Sequence, residues 1–227
     1  MFVGNTSVPA GAQDLPAPET AVWPFAPLAA RSYDALVIDP PWHFNTWSLA
    51  GQTSKSASGQ YRTMPLAEIM ALPVRELLKP DAIVYLWATG AMLPHALATL
   101  RAWGIVYKTS FVWRKVTRNG KVRWGTGRWA QSGHELVLLG VVGRPRCFLL
   151  PSIFDGIARE HSRKPDEFYG IIAKKTPGLR RADVFAREKR EGWDCWGDEV
   201  GKFSPPLCST ERSSILIPSH EQTGVQP

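Results

Sequence analysis

Short apolar runs that stop at turn residues, set between segments with helical spacing, leave this chain few ways to fold. Tyr33 to Asp39 (YDALVID) is such a run, closed by Pro40-Pro41, and reads as a buried strand. Ala82 to Ala88 (AIVYLWA) is a second, and Val106–Lys115, His134–Gly143 and Arg181–Ala186 follow. Between them, Pro65–Lys79 carries Leu66, Ile69, Met70, Leu77 and Leu78 on roughly one helical face, with Pro73 as a kink or break. Ala91–Trp103 predicts a helix stopped by Gly104, and Lys164–Lys175 a helix with Pro165 in its first turn. Strands alternating with helices imply an α/β fold with a Rossmann-like, mostly parallel sheet and helices on both faces. The short gap between the runs at 106–115 and 134–143 adds an antiparallel strand pair. Ligands of such sheets sit beyond the C-terminal ends of the strands.

The domain is expected over residues 31–203. Residues 1–30, rich in Pro, Ala and Gly, read as a largely flexible lead, and the polar, Pro/Ser-rich 204–227 as a flexible tail. A net charge of +7 and a pI near 9.5 favour an anionic partner. Three cysteines (Cys147, Cys195, Cys208), widely spaced and without a CxxC, favour reduced thiols over a disulfide frame or a zinc site. No signal peptide and no apolar run of membrane-spanning length is read, so a cytoplasmic protein with no membrane partner is expected.

Asp39-Pro40-Pro41-Trp42 follows the first strand at its C-terminal end. Asp before Pro-Pro is also an ordinary way to end a strand. Its place at the functional edge favours chemistry. The amino group of an aromatic base is a poor nucleophile because its lone pair is delocalised into the ring. A carboxylate and a rigid backbone carbonyl, side by side, can accept its hydrogens and let the lone pair point at an electrophile. The prolines offer the carbonyl without a competing N–H, and Trp42 offers an aromatic face on which an extruded base can stack. With a methyl donor already activated as a sulfonium, alignment accounts for much of the rate, and no metal is needed.

Further segments recur in order. Tyr61-Arg62-Thr63-Met64 comes next, then Tyr85-Leu86-Trp87-Ala88-Thr89-Gly90, then Val112-Trp113-Arg114-Lys115. Gly125-Thr126-Gly127-Arg128-Trp129 precedes His134-Glu135, which opens an apolar strand. Lys164-Pro165-Asp166-Glu167, Val184-Phe185-Ala186-Arg187 and Gly192-Trp193 complete the series. Together with DPPW these segments resemble the MT-A70 family of S-adenosylmethionine-dependent adenine N6 methyltransferases, over about residues 33–200. The resemblance implies that Asp39, the Pro40 carbonyl, Pro41 and Trp42 form the target-amine site, with Asp39 also close to the cofactor. It implies that Lys164 holds the methionine carboxylate of S-adenosylmethionine, which suits an ammonium next to a helix N-terminus. Arg187 and Arg190 fall where the family contacts the cofactor's ribose region. Asp198 and Glu199 stand where its messenger-RNA member carries an Asn-Gln pair, and carboxylates also bind ribose hydroxyls.

The stretch from Arg114 to Trp129 holds Arg114, Lys115, Arg118, Lys121, Arg123 and Arg128, interleaved with Trp124 and Trp129 and free of acidic residues. A solvated basic hairpin would have this composition. So would a nucleic-acid contact in which the cations neutralise phosphates and the indoles stack, with Tyr61 as a further contact. The expected reaction is methyl transfer to adenine N6, in DNA rather than RNA, by a bacterial or phage-encoded enzyme. An RNA methyltransferase, an enzyme that methylates another amine in the same geometry such as cytosine N4, and a catalytically silent nucleic-acid-binding module are the alternatives.

Overall fold

The computed structural model describes residues 22–43, 63–127, 129–160 and 162–203. Its centre is a sheet of seven strands: β1 Tyr33–Ile38, β2 Leu78–Ala88, β3 Val106–Val116, β4 His134–Val142, β5 Ile153–Ile157, β6 Arg181–Val184 and β7 Asp194–Trp196. Their order across the sheet is β5-β3-β4-β2-β1-β6-β7. All neighbours are parallel except β4, which runs antiparallel to both β2 and β3. The mostly parallel sheet with an antiparallel insertion expected from the sequence is therefore present. The direction of β4 matters for function: its first residues lie at the edge where β1, β2 and β3 end.

Helices α1 (Leu66–Ala71) and α2 (Leu93–Ala102) cover one face, packing Ile69, Ala96 and Leu100 on Leu36, Ile38, Val84, Leu86 and Leu138. Helix α3 (Asp166–Lys175) covers the other, packing Phe168, Tyr169 and Ile172 on Val37, Tyr85, Trp87 and Val137. The successive residues of β1 and β2 are buried on both sides, which explains their unbroken apolar runs.

The region 65–79 is less helical than its spacing predicts. Pro73 excludes the helical conformation at Leu72, whose ψ is 134°, so α1 ends at Ala71. A short 3-10 turn, Val74–Leu77, then leads into β2, which begins four residues before the expected Ala82. Strands β5 and β7 were not foreseen: one is five residues long with Asp and Gly inside it, the other only three. Packing also begins before the expected domain start at residue 31. Phe25 and Leu28 are buried, and Phe25 makes edge-to-face contacts with Trp23 and Trp196. Among the described residues, no helix is long and apolar enough to cross a membrane.

Candidate active site

Strand β1 delivers Asp39 to the C-terminal edge of the sheet, and its backbone N–H still donates to the Val184 carbonyl at 3.2 Å. The turn that follows is tied down on three sides. The Pro40 carbonyl accepts from Trp42 N–H at 2.8 Å, and the Pro41 carbonyl from Met64 N–H at 2.9 Å. The Trp42 indole N–H donates to the Trp87 carbonyl at 3.1 Å, at the end of β2. Trp42 is only 4% exposed. It is thus packed into the core as the anchor of the turn, and does not stand as an open stacking face. The Pro40 carbonyl keeps one lone pair beyond its internal bond.

Asp39 opens into a cleft shared with Pro40, Pro41, Ser162, Phe185, Arg187, Asp198 and Glu199. Its volume is about 160 Å³, smaller than the roughly 300–1,000 Å³ usual for small-molecule sites. The sequence-predicted Asp39, Pro40, Pro41, Arg187, Asp198 and Glu199 are therefore brought together. Phe185 holds φ at 64°, a left-handed value that a bulky L residue adopts only at a cost. This bend ends β6 and puts Phe185 and Arg187 on the cleft wall. Arg187 forms an ion pair with Glu199 at 2.7 Å, and Lys202 also pairs with Glu199. Arg190 lies further back. It stacks on Tyr169 with its guanidinium carbon 3.7 Å from the ring centroid, and bridges Asp183, Glu188 and Asp166. This makes it a strut of the wall. Asp183 beside it is buried, and burial pushes its carboxyl up to about 7 against the pull of Arg190.

Lys164 is not a free cation. Its ammonium lies 3.0 Å from Asp39 Oδ2 and 3.1 Å from Glu135 Oε2, over the Trp87 ring. Glu135 in turn accepts from the Lys115 ammonium at 2.6 Å. The N-terminus of α3, where the resemblance suggested an anion site, is flanked by its own acidic residues. Asp166 pairs with Arg159 and Arg190, and Glu167 accepts from Ile157 N–H at 3.3 Å. Burial pushes the Asp39 carboxyl above its ordinary value and the Glu135 charge adds to this, against the pull of Lys164 and Arg187. Burial also opposes ionisation of Glu135, yet Lys164 and Lys115 hold its carboxyl below the usual range. Burial disfavours the Lys164 ammonium, and the two carboxylates overcome it and raise its pKa. Of the two carboxylates that share this ammonium, Asp39 is raised and Glu135 lowered.

Gly156 on β5 helps to place Lys164. A Cβ there would lie 2.6 Å from both Pro165 Cβ and Trp113 Nε1, and the Trp113 indole donates to the Gly156 carbonyl at 2.9 Å. Gly156→Ala is expected to push Pro165, and Lys164 with it, away from Asp39, costing about 1–3 kcal/mol of stability. Chemical denaturation and turnover of the variant check this, and activity is expected to fall further than the loss of folded protein accounts for.

The other predicted residues divide. Arg118, Lys121, Arg123, Trp124 and Trp129 are exposed, Trp129 at 95%. Arg114 is exposed but held by Asp155 through two of its nitrogens, and Lys115 turns inward to Glu135. Tyr61 and Arg128 lie outside the described residues. Glu135 was noted in the sequence only as part of a motif, with no role assigned. Among the described residues, no group of three or more His, Cys, Asp or Glu is arranged to hold a metal.

Known proteins match the span of chain that holds this site. The MT-A70 family model matches residues 33–199, from the start of β1 to Glu199 of the cleft. The chain is 31% identical to the type II methyltransferase M.MunI of Mycoplasma sp over 78% of this chain and 81% of that protein. It is 31% identical to an N(6)-adenosine-methyltransferase MT-A70-like protein of Drosophila melanogaster, and 29% to the human N(6)-adenosine-methyltransferase catalytic subunit METTL3. In both, 74% of this chain is matched, and the chain spans only 27% and 28% of those longer proteins. The matched region contains the sheet, the Asp-Pro-Pro-Trp turn and the charged groups around it, and the chain belongs to the MT-A70 family.

Proposed function

We propose that this chain transfers a methyl group from S-adenosylmethionine to the N6 amino group of adenine in nucleic acid, and in DNA in preference to RNA. The observation that carries the reading is Asp39: a carboxylate at the end of β1, gripped by Lys164 and open to a cleft that also holds Arg187, Asp198 and Glu199. The donor set suits the cofactor. Asp198 and Glu199 offer acceptors to ribose hydroxyls, Arg187 steadies Glu199, and the carboxylates of the cleft complement a sulfonium. S-adenosylmethionine supplies an electrophilic methyl group that needs alignment more than activation. Asp39 and the remaining lone pair of the Pro40 carbonyl accept the amine's hydrogens and turn its lone pair into the cleft. Trp42 and Trp87 keep that turn rigid, so the acceptors need no reorganisation when the amine arrives. The protein acts in the bacterial cytoplasm on this reading.

Preference for DNA is supported by the match to the type II methyltransferase. The chain matches the type II methyltransferase over most of that protein's length, but only about a quarter of the adenosine methyltransferases. A catalytic domain with an exposed basic segment can grip a duplex through phosphates and extrude one adenine for a few kcal/mol. The exposed Arg118, Lys121, Arg123, Trp124 and Trp129 provide such a grip. The test is competition between matched duplex DNA and single-stranded RNA of the same sequence, with labelled methyl donor. DNA is expected to win in kcat/KM. An RNA advantage of about tenfold, near 1.4 kcal/mol, would reverse the assignment and leave adenine methylation standing.

Neutralising Lys121 and Arg123 together is expected to lower the slope of log affinity against log salt on duplex DNA by about two, at ~0.9 per phosphate contact. A salt titration by fluorescence anisotropy measures it, and an unaltered slope would make the hairpin a bystander.

A further inference from the structure

Lys115, Glu135, Lys164 and Asp39 form an unbroken file of alternating charges, with contacts of 2.6, 3.1 and 3.0 Å. Their side chains are 21%, 12%, 9% and 17% exposed, so the file runs under the surface. It lies on an aromatic floor. The Lys115 ammonium is 5.0 Å from the Trp113 ring and the Lys164 ammonium 5.2 Å from that of Trp87, and the two rings pack edge to face. Four structural elements contribute: the end of β3, the start of β4, the residue before Pro165, and the residue after β1.

The file is neutral, two ammoniums against two carboxylates, yet it holds one ion pair more than Asp39 alone requires. A single ammonium against Asp39 would balance its charge. It would also be free to swing toward either carboxylate oxygen or into the cleft, since a lysine is a point charge on a flexible stem. Glu135 removes that freedom by holding the Lys164 ammonium from the opposite side. An anion at Glu135 would, alone, compete with Asp39 for the lysine, and Lys115 offsets that by taking the second Glu135 oxygen.

We propose that Glu135, backed by Lys115, is a positioning residue for methyl transfer: it fixes the Lys164 ammonium on Asp39 Oδ2 and so reserves the other Asp39 oxygen for the target amine. This rests on the reading that Asp39 receives that amine. It assigns Lys115 to the reaction centre, where the sequence alone had placed it with the nucleic-acid contacts.

Asp39 is faced by Lys164 ahead of α3, Glu135 from β4, Asp183 from β6, Arg187 from the loop after it, and Tyr169 from α3. Of these, Glu135 raises the Asp39 carboxyl and Lys164 lowers it. Removing Glu135's charge and removing Lys164's therefore move the Asp39 titration in opposite directions. The shift follows from the charge alone, so the split between kcat and KM is what separates positioning from a merely structural role.

The test uses the full chain with Glu135→Gln, Glu135→Asp and Lys115→Gln. Glu135→Gln is expected to lower kcat by about tenfold or more while KM for S-adenosylmethionine stays within about threefold. Carbon-13 NMR of the carboxyls, with Asp39→Asn for assignment, should show Asp39 titrating at lower pH in Glu135→Gln. Glu135→Asp should recover part of kcat. Lys115→Gln should lower kcat by roughly threefold or more with the salt slope on duplex DNA unchanged. Wild-type kcat in Glu135→Gln, or an unmoved Asp39 titration, overturns the proposal. So does a Lys115→Gln variant with full kcat and a salt slope reduced by about one, which would make Lys115 a phosphate contact. If thermal melts show Glu135→Gln unfolded, the Glu135→Asp and Lys115→Gln arms decide. If the wild type methylates no nucleic acid, the functional reading fails, while the Asp39 titration still reports on the charge file.

Discussion

Asp39→Ala is expected to lower kcat by on the order of 10²-fold or more, while binding of S-adenosylmethionine changes only modestly. On the proposed reading the carboxylate receives the amine that enters the cleft, and its partner acceptor, the Pro40 carbonyl, already spends one lone pair on Trp42 N–H. Without Asp39 the amine keeps its lone pair in the ring and loses its alignment. The fold should survive: Lys164 retains Glu135 at 3.1 Å, and one buried carboxylate with a raised pKa is gone. The wild type carries a second signature. Burial raises the Asp39 carboxyl, so the acid limb of kcat should fall at a pH above that of an ordinary aspartate, activity being lost as Asp39 takes up its proton. Single-turnover assays with calorimetry for the cofactor separate these effects. Turnover near wild type in Asp39→Ala would remove Asp39 from the mechanism.

What could be read in the sequence follows from the range over which each signal acts. Strand β1 and its Asp-Pro-Pro-Trp turn were legible because an apolar run and two prolines are local facts. Glu135 had no role in that reading because its value depends on direction. In a parallel strand a carboxylate at the first positions would lie at the far edge of the sheet, and only the antiparallel setting of β4 brings it to Lys164. Lys115 looked like one more cation of a basic hairpin, and which side of β3 it faces was decided by burial of its partner. Trp42 was expected as a stacking face, whereas the end of β2 takes its indole N–H and the core takes its ring. Among the described residues the exposed tryptophans are Trp124 and Trp129, and composition alone could not separate them from the buried ones. Phe25 and Leu28 sit in a Pro/Ala-rich stretch whose weak periodicity hid two core residues. These misses concern partners distant in sequence, whereas the overlong helix at 65–79 was a local one, made by Pro73.

Lys164→Met is expected to be the most damaging single change to both stability and activity. The ammonium is buried between Asp39 and Glu135, and a methionine of similar length would fill the space over Trp87 without the charge. Breaking a buried pair from one side leaves an uncompensated charge and costs roughly 3–5 kcal/mol at neutral pH. Here two carboxylates lose the partner, though Glu135 keeps Lys115. The pH dependence fixes the cause. In the wild type the lysines hold Glu135 below its unfolded value, so its contribution is present above that value and is lost as pH falls through the folded one. In Lys164→Met, burial without the ammonium raises the Asp39 carboxyl further. A raised folded pKa favours the native state below the unfolded value, and this advantage is lost as pH rises through the folded one. The stability gap between variant and wild type should therefore be widest near neutrality and narrow as pH falls into the carboxylate range. Denaturant titrations at a series of pH values measure it. A gap independent of pH would mean that methionine disturbs packing alone, and that Lys164 does not carry the charge on which Asp39 depends.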